Sequence, residues 1–236
     1  NPEPLPQHLT EISELLKQGK ADLGFVVDPD VDRLAIICED GSMFGEEYTL
    51  VSIADYILAH TPGNTVSNMS SSRALSDITR KHGGEYTASA VGEVNVVAQM
   101  QKVNAIIGGE GNGGVIYPAC HSGRDALVGV ALFLSHMAKM DMTVSAYRQT
   151  LPEYYISKNR IDLTPDTDID AILARVKDIY KEERVNDIDG VKIDFAEGWV
   201  HLRKSNTEPI IRVYSEAATM DKANALAQQV MAIINE

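Results

Sequence analysis

The sequence predicts an α/β fold with a mixed sheet in its larger N-terminal part, followed by an α+β C-terminal domain with an antiparallel sheet. Up to about residue 140, apolar strand-like runs alternate with segments of helical periodicity, a pattern typical of α/β domains. Beyond residue 154, several apolar runs follow one another through tight turns, which indicates an antiparallel sheet. The length of 236 residues, with 44% hydrophobic and 23% charged residues, fits an ordinary globular chain of one large domain or two modest ones.

The predicted elements of the first part follow from apolar spacing. In the clearest helix, Leu50, Ile53, Ile57 and Leu58 share one face. In chain order we predict helix 8–18, strands 23–27 and 34–38, helix 46–60, strand 65–69, helix 73–82, strand 85–88, helix 93–102, strand 104–108 and a long helix within 123–140.

The C-terminal part begins after a boundary near residues 141–153. Its second element is a helix for which Thr167 and Asp170 form a T-x-x-D capping pattern. The last helix has an apolar face at Leu226, Val230 and Ile233. The predicted strands are 154–163, 191–195, 198–203 and 209–216.

The charge of the chain restricts its partners. The formal net charge of −13 argues against nucleic acid and against anionic membranes. It does not exclude phosphorylated small molecules, because a local arginine and lysine pocket can bind them within an acidic protein.

The sequence predicts neither a transmembrane helix nor a secretory signal peptide. No run of 18 apolar residues predicts a transmembrane helix, and the N-terminus lacks a signal-peptide pattern. The start NPEPLPQHLTEI reads as a proline-rich connector within a longer protein. Cys38 and Cys120 each adjoin apolar residues and form no Cys/His cluster, so we predict reduced core thiols and a cytoplasmic protein.

The stretch FVVDPDVDRLAII, residues 25–37, places Asp28, Asp30 and Asp32 between two apolar strands. Pro29 forces a turn, in which three carboxylates can converge on a hard cation such as Mg²⁺. An EF-hand loop is disfavoured because Arg33 occupies the position that requires glycine. A dehalogenase-type phosphatase with a nucleophilic aspartate and a solvated acidic turn remain open alternatives for this motif alone.

Two later loops carry binding chemistry. GGEGNGG, residues 108–114, holds Glu110 and Asn112 among glycines that allow a ligand to approach the backbone. Because glycine loops are common, this motif alone slightly favours a plain flexible turn. It matches neither a dinucleotide-binding nor a P-loop pattern. HLRKSNTEPIIR, residues 201–212, concentrates guanidinium, ammonium and hydroxyl donors between two apolar strands, which in so acidic a chain favours a phosphate-binding turn over an ordinary hairpin. Glu208 is placed to pair with one of its arginines.

In this order, the aspartate loop, GGEGNGG and RKSNTEPIIR resemble the later signatures of the α-D-phosphohexomutase superfamily, over essentially the whole chain. GGEGNGGVIYP followed by GRDAL is most similar to the branch of phosphoglucosamine mutases and phosphomannomutase/phosphoglucomutases. In such enzymes a phosphoserine gives its phosphoryl group to a hexose phosphate. The resulting bisphosphate then reorients and returns its other phosphoryl group.

The resemblance implies a role for each site residue. Mg²⁺ is the implied cofactor, with Arg33 beside its loop near the transferring phosphoryl group, and a hexose phosphate is the implied substrate. The implied metal ligands are Asp28, Asp30 and Asp32, the sugar-binding residues are Glu110 and Asn112, and the residues that bind the other phosphate are Arg203, Ser205, Asn206, Thr207 and Arg212.

The chain departs from the family pattern in three ways. The glycine that follows the first aspartate of the family's metal loop is Pro29 here, a stiffening change that leaves the ligands intact. No T-A-S-H-N-P-like phosphoserine motif occurs, since SSSRAL at 70–75 lacks the His-Asn-Pro. The lysine expected two residues before Gly92 is Ala90, so the acid/base group is unassigned, with His121 a candidate. We therefore expect a C-terminal portion without the phosphoserine domain, inactive by itself, whose partners are the N-terminal domains of the same protein.

The implied domain division is 1–45 for the end of domain 2, 46–145 for domain 3 and 146–236 for domain 4. Phosphoglucosamine mutase is the first choice of activity, and phosphomannomutase/phosphoglucomutase is the alternative within the class. Alternatives of another class are a sugar-phosphate-binding module without catalysis and the dehalogenase-type phosphatase.

Overall fold

The computed structural model of the chain describes residues 3–164, 167–205 and 208–234. The chain divides between Pro152 and Glu153 into two compact units, each taken here by itself. The first unit is α/β with a mixed sheet, and the second is α+β with an antiparallel sheet, so the predicted fold class is confirmed.

The first unit alternates helices and strands as its apolar periodicity predicts. A short 3-10 helix, Pro6–His8, precedes them. The helices are α1 Thr10–Lys17, α2 Glu46–His60, α3 Ala74–Lys81, α4 Glu93–Val103, α5 Ala126–Met137 and α6 Val144–Thr150. The strands are β1 Leu23–Val27, β2 Leu34–Cys38, β3 Asn64–Asn68, β4 Tyr86–Ser89, β5 Ala105–Glu110 and β6 Gly114–Ile116.

Two sheets organise this unit. β1 and β2 form an antiparallel pair in which Val27 lies opposite Leu34, so the aspartate loop is the turn that joins them. The other sheet has the order β4-β3-β5-β6, with β3 parallel to both β4 and β5 and β6 antiparallel to β5. The GGEGNGG loop therefore turns between the last two strands, at the end of β5 where Glu110 lies.

The long helix predicted within 123–140 is shorter than expected. α5 begins at Ala126 because the side chain of Asp125 accepts a hydrogen bond from the backbone N–H of Val128 at 3.0 Å, which makes Asp125 its N-cap. α6 and the three-residue strand β6 were not predicted. In α6, Val144 and Tyr147 are the buried positions, too few to produce a periodic signal.

The second unit packs two helices on a five-stranded antiparallel sheet of order β7-β11-β10-β9-β8. Val176 and Val230 of the helices meet Val200, Leu202 and Val213 of the sheet in one apolar core. Alternate strand residues point to the opposite face. The elements are β7 Tyr155–Asp162, α7 Ile169–Ile179, β8 Arg184–Asn186, β9 Val191–Asp194, β10 Gly198–Lys204, β11 Ile210–Ala217 and α8 Met220–Ile234.

The predicted cap of α7 is wrong by one residue. Asp168 is the N-cap, and its side chain accepts from the backbone N–H of Ala171 at 3.0 Å. Thr167 instead accepts from the backbone N–H of Thr164 at 3.1 Å, which closes the preceding turn. A carboxylate one position nearer the helix satisfies the first-turn donors, so the threonine is not needed there.

His201 makes the second unit sensitive to acid. Burial lowers the pKa of His201 to about 4, and its Nε2 lies 2.7 Å from the carbonyl oxygen of Asp189. The unfolded chain gains a proton at this residue below pH about 6.5, while the folded chain excludes it until about pH 4. The free energy of unfolding should therefore fall as pH drops through this window, by on the order of 3 kcal/mol, and stay constant above it.

This expectation is checked by urea denaturation from pH 7.5 to 4.5, followed by the fluorescence of the single tryptophan, Trp199, in the second unit. His201→Gln should flatten the pH dependence relative to the unchanged chain. His8→Gln, at an exposed position, should leave it unchanged. Equal slopes in all three proteins would contradict the assignment to His201.

Two further sequence expectations meet the structure here. Among the residues that the structure describes, no helix has both the length and the apolar character needed to cross a membrane. Cys38 and Cys120 are both free, but only Cys38 is buried. The prediction of two core thiols is wrong for Cys120, which lies in an exposed turn where its backbone N–H donates to Tyr117 at 2.9 Å.

Candidate functional site

The loop between β1 and β2 gathers its three aspartates. One carboxylate oxygen from each of Asp28, Asp30 and Asp32 lies within 4.8 Å of the others. Asp28 is 6% exposed, and its Oδ1 accepts hydrogen bonds from the backbone N–H groups of Asp32 and Arg33 at 3.1 and 3.0 Å. Between the ligand candidates, Val31 adopts φ +59°, a left-handed conformation uncommon for a β-branched residue. The loop thus brings its three carboxylates together at a cost in backbone strain, with Asp28 buried and Asp30 exposed.

Arg33 is the cation beside this loop. Its Nη1 pairs with Glu3 at 2.6 Å, and its Nε lies 3.5 Å from Asp28 Oδ2 and 3.8 Å from Asp32 Oδ1. The structure therefore places Arg33 next to the predicted metal ligands. Its Nε is buried and has no hydrogen-bond partner among the described residues.

The electrostatics of the loop fit a hard cation. Burial and the adjacent Asp28 carboxylate raise the pKa of Asp32 to about 6. Burial opposes ionisation of Asp28 as well, but backbone hydrogen bonds from Arg33 and Asp32 lower its pKa overall. Asp32 Oδ1 is buried without a hydrogen-bond partner among the described residues. Converging carboxylates with an unsatisfied oxygen are the donor set that Mg²⁺ accepts.

The loop after β5 holds Glu110 firmly. This residue is 5% exposed, and its Oε1 accepts from Asn68 Nδ2 at 2.8 Å and from the Gly92 backbone N–H at 3.1 Å. Its Oε2 accepts from Arg124 at 3.0 Å. These bonds use three of the roughly four acceptor positions of a carboxylate, which leaves about one for a ligand. Asn112 Oδ1 accepts from the Gly114 N–H at 3.1 Å, so its side-chain amide remains as a donor.

Arg124 is the residue that sequence reasoning missed. Its side chain is 13% exposed and reaches three carboxylates, with Nη2 bonded to Asp32, Nη1 to Glu110 and Nε to Glu93 at 3.3 Å. One guanidinium therefore ties the aspartate loop to the glycine-rich loop. Gly114 makes room for it, because a Cβ there would lie 2.4 Å from Arg124 Cδ. The GRDAL segment contains this arginine and contributes to the family resemblance, but the sequence pattern does not predict a role for Arg124.

The two loops also meet through the backbone. The N–H of Leu34, the first residue of β2, donates to the Gly113 carbonyl at 3.0 Å. Gly113 has φ +87°, and a Cβ there would lie 2.5 Å from the Leu34 carbonyl oxygen. Glycine is therefore required at this position for both its backbone conformation and the close approach.

The hairpin between β10 and β11 carries the predicted phosphate residues in the second unit. Arg203 lies directly opposite Arg212, and the backbone N–H of buried Ser205 donates to the Ile210 carbonyl at 3.0 Å. Arg203 Nε is buried without a hydrogen-bond partner among the described residues. The predicted arginine partner of Glu208 is Arg212, at 2.7 Å. The predictions for Asn206 and Thr207 lie outside the described residues.

His121, the candidate acid/base residue, is exposed. Its backbone N–H donates to Tyr117 at 3.0 Å, in the turn that follows β6. Its exposure agrees with a surface histidine, and the acid/base group remains unassigned.

Comparison with protein families matches three consecutive domain descriptions to the chain. Residues 1–41 match "Phosphoglucomutase/phosphomannomutase, alpha/beta/alpha domain II", residues 45–155 match domain III, and residues 162–233 match the C-terminal domain. Together they account for nearly the whole chain.

Among curated proteins, a "Phosphoglucomutase/phosphomannomutase" of Thermococcus kodakarensis is 34% identical over 100% of this chain and 52% of its own length. A "Probable phosphoglucosamine mutase" of Methanopyrus kandleri is 29% identical over 99% and 52%. The chain thus spans about half the length of the curated relatives that it matches.

Solved structures agree in fold. A phosphoglucomutase/phosphomannomutase family protein of Burkholderia thailandensis is 25% identical with a TM-score of 0.85, over 99% of this chain and 51% of its own. Aspergillus fumigatus N-acetylphosphoglucosamine mutase, solved in complex with GlcNAc-6P and magnesium, is 15% identical with a TM-score of 0.63, over 94% and 56%. The latter likeness concerns the fold alone.

Proposed function

Because the chain belongs to the phosphoglucomutase/phosphomannomutase family, we propose that it supplies the metal-, sugar- and phosphate-binding parts of a phosphohexomutase. The whole protein would interconvert hexose 6-phosphate and hexose 1-phosphate through a phosphoserine and a bisphosphate. The proposal rests on one observation. Arg124 bonds to both Asp32 and Glu110, and so links the aspartate loop to the glycine-rich loop GGEGNGG.

The aspartate loop would hold Mg²⁺ through Asp28, Asp30 and Asp32. When bound, the ion supplies charge neutralisation at a transferring phosphoryl group. The geometry of Asp28 disfavours the phosphatase alternative, in which a carboxylate attacks phosphorus. Asp28 is 6% exposed, and one of its oxygens accepts two backbone hydrogen bonds, so it suits a fixed ligand better than a nucleophile. Arg33, which lies beside this loop, would stabilise the negative charge of the transferring phosphoryl group.

Glu110 and Asn112 would bind the sugar, and Arg203, Ser205 and Arg212, with Asn206 and Thr207, the phosphate that is not transferred. The proposed substrate is glucosamine phosphate, with mannose and glucose phosphates as the alternative. A carboxylate accepts a hydrogen bond from an ammonium or from a hydroxyl, so Glu110 fits both. The names of the relatives divide in the same way.

The proposed domain division remains 1–45, 46–145 and 146–236, with the serine that carries the phosphoryl group elsewhere in the whole protein, and a cytoplasmic location suits these substrates. The test is a coupled assay of the whole protein and of this chain with glucosamine, mannose and glucose phosphates. We expect the whole protein to interconvert the isomers in the presence of Mg²⁺ and this chain alone to be inactive. Phosphate release by the chain alone would support a phosphatase instead. Binding without turnover by the whole protein would support a sugar-phosphate-binding module.

Replacing Asp28 with asparagine should weaken Mg²⁺ binding to this chain by about tenfold or more, equivalent to about 1.4 kcal/mol. The amide oxygen can still accept the two backbone hydrogen bonds, so the loop keeps its shape while losing a charged ligand. Isothermal titration with Mg²⁺ measures the effect. The matched control is Asp22→Asn, an exposed residue just before β1. Equal Mg²⁺ affinities for the two variants would remove the metal assignment.

A further inference from the structure

Three arginines lie in one row across the sheet of the second unit. Arg160 of β7 is directly opposite Arg212 of β11, and Arg212 is directly opposite Arg203 of β10. Directly opposed residues of antiparallel strands share a face and bring their Cβ atoms to about 5 Å. The neighbouring residues Ile161, Ile211 and Leu202 belong to the core beneath the helices, so the arginines occupy the opposite face.

Like charges that lie directly opposite each other destabilise a sheet, so a negative group close to these arginines would stabilise it. The carboxylates near it provide little. Arg212 pairs with Glu208 at 2.7 Å, but Glu208 is 46% exposed. Arg160 is 3.7 Å from Asp162, and the two side chains are 64% and 80% exposed, so this ion pair contributes little. Arg203 Nε, although buried, has no hydrogen-bond partner among the described residues.

We propose that Arg160 binds the substrate phosphate together with Arg212 and Arg203, so that the anion site extends from the β10–β11 hairpin to the edge strand β7. The inference deepens the proposed function and rests on it for the identity of the ligand, a phosphate dianion. A guanidinium offers planar paired donors that match phosphate oxygens. Arg160 has such donors to spare, because its contact with Asp162 is long and solvent-exposed.

Phosphate binding would also account for a row of three arginines that has no strong counterion within the described part of the second unit. A phosphate dianion placed over the row would neutralise the repulsion that the three arginines create. Without phosphate, the repulsion between the arginines would lower the stability of the protein. Relief of this repulsion on binding would increase the affinity for phosphate. Removal of one arginine should therefore affect the free and the bound protein in opposite directions.

The test uses this 236-residue chain, with inorganic phosphate as the probe in NMR titrations and thermal unfolding. For Arg160→Gln we expect phosphate binding about tenfold weaker, a smaller phosphate-induced rise in Tm, and a Tm without phosphate above that of the unchanged chain. Arg160→Lys should bind phosphate with an affinity between that of the unchanged chain and that of Arg160→Gln. The matched control is Arg184→Gln, the same charge change on the opposite edge strand β8 of the same sheet, which should bind phosphate as the unchanged chain does.

The outcomes separate the inference from the function it rests on. If Arg203→Gln abolishes phosphate binding while Arg160→Gln stays within twofold of the unchanged chain, the role of Arg160 is refuted and the phosphate loop stands. If Arg160→Gln and Arg184→Gln weaken binding equally, only net charge matters, and the inference also fails. If the unchanged chain binds no phosphate, the inference and the phosphate-loop assignment both fall, which the mutase assay tests independently.

Discussion

Replacing Arg124 with methionine should lower the free energy of unfolding of the first unit by about 3 kcal/mol, because it removes the cation shared by three partly or fully buried carboxylates. Glu110, whose side chain is 7% exposed, would keep its charge without its guanidinium partner. The loss is measured by urea denaturation followed by circular dichroism. The control is Arg80→Met, an arginine 69% exposed and 3.9 Å from Asp77, for which we expect almost no change.

A second substitution tests the cause. If the cost comes from an uncompensated carboxylate, Glu110→Gln should restore part of the stability in the Arg124→Met background, whereas in the unchanged chain it should only destabilise. Its amide oxygen can still accept from Asn68 or the Gly92 N–H. Additive losses in the double variant would mean that Arg124 contributes through packing and not through charge.

Replacing Gly113 with alanine should cost about 3 kcal/mol, more than any ordinary substitution in an exposed loop. The new Cβ would sit at φ +87°, 2.5, 3.0 and 3.1 Å from the carbonyl oxygen, the nitrogen and the carbonyl carbon of Leu34, and all three atoms belong to the backbone. Urea denaturation measures the loss, and Mg²⁺ titration should detect displacement of the aspartate loop, since Leu34 lies two residues beyond Asp32 and bonds to Gly113.

The matched control for this variant is Gly83→Ala. Gly83 has φ +76° with no atom within 4 Å of its hypothetical Cβ, so alanine there pays only the conformational cost, about 1 kcal/mol. The difference between the two variants isolates the close approach of the loops. Equal losses would show that Gly113 is needed for its φ alone.

Much of the fold could be predicted because its signals are local. β1, β2 and α2 begin and end at the predicted residues, where apolar runs are bounded by turn residues or a helical period is sustained. α6 was missed because it has few buried positions, and β8 because three residues show no periodicity. The cap of α7 was misplaced because Thr167 and Asp168 are both good capping residues, and only the geometry distinguishes them.

Some residues of the candidate site could likewise be predicted from local sequence, and others could not. Its motifs are contiguous in sequence, so the loops that hold Asp28, Glu110 and Arg203 could be recognised from the order of residues alone. Arg124 could not, because its acidic partners lie 92, 31 and 14 positions away and no local pattern connects them. The arginine row has the same origin, since strand order, not sequence spacing, brings Arg160 beside Arg212.

The bond between Arg124 and Asp32 has a kinetic consequence. It closes a span of 92 residues, and the entropy of closing so long a loop must be overcome before the contact contributes any stability. Such contacts form after the local pairing of β1 with β2 and of the helices with their strands. The Arg124→Met and Gly113→Ala variants should therefore accelerate unfolding while leaving the rate of refolding nearly unchanged. The site then governs how long the folded chain persists more than how fast it forms.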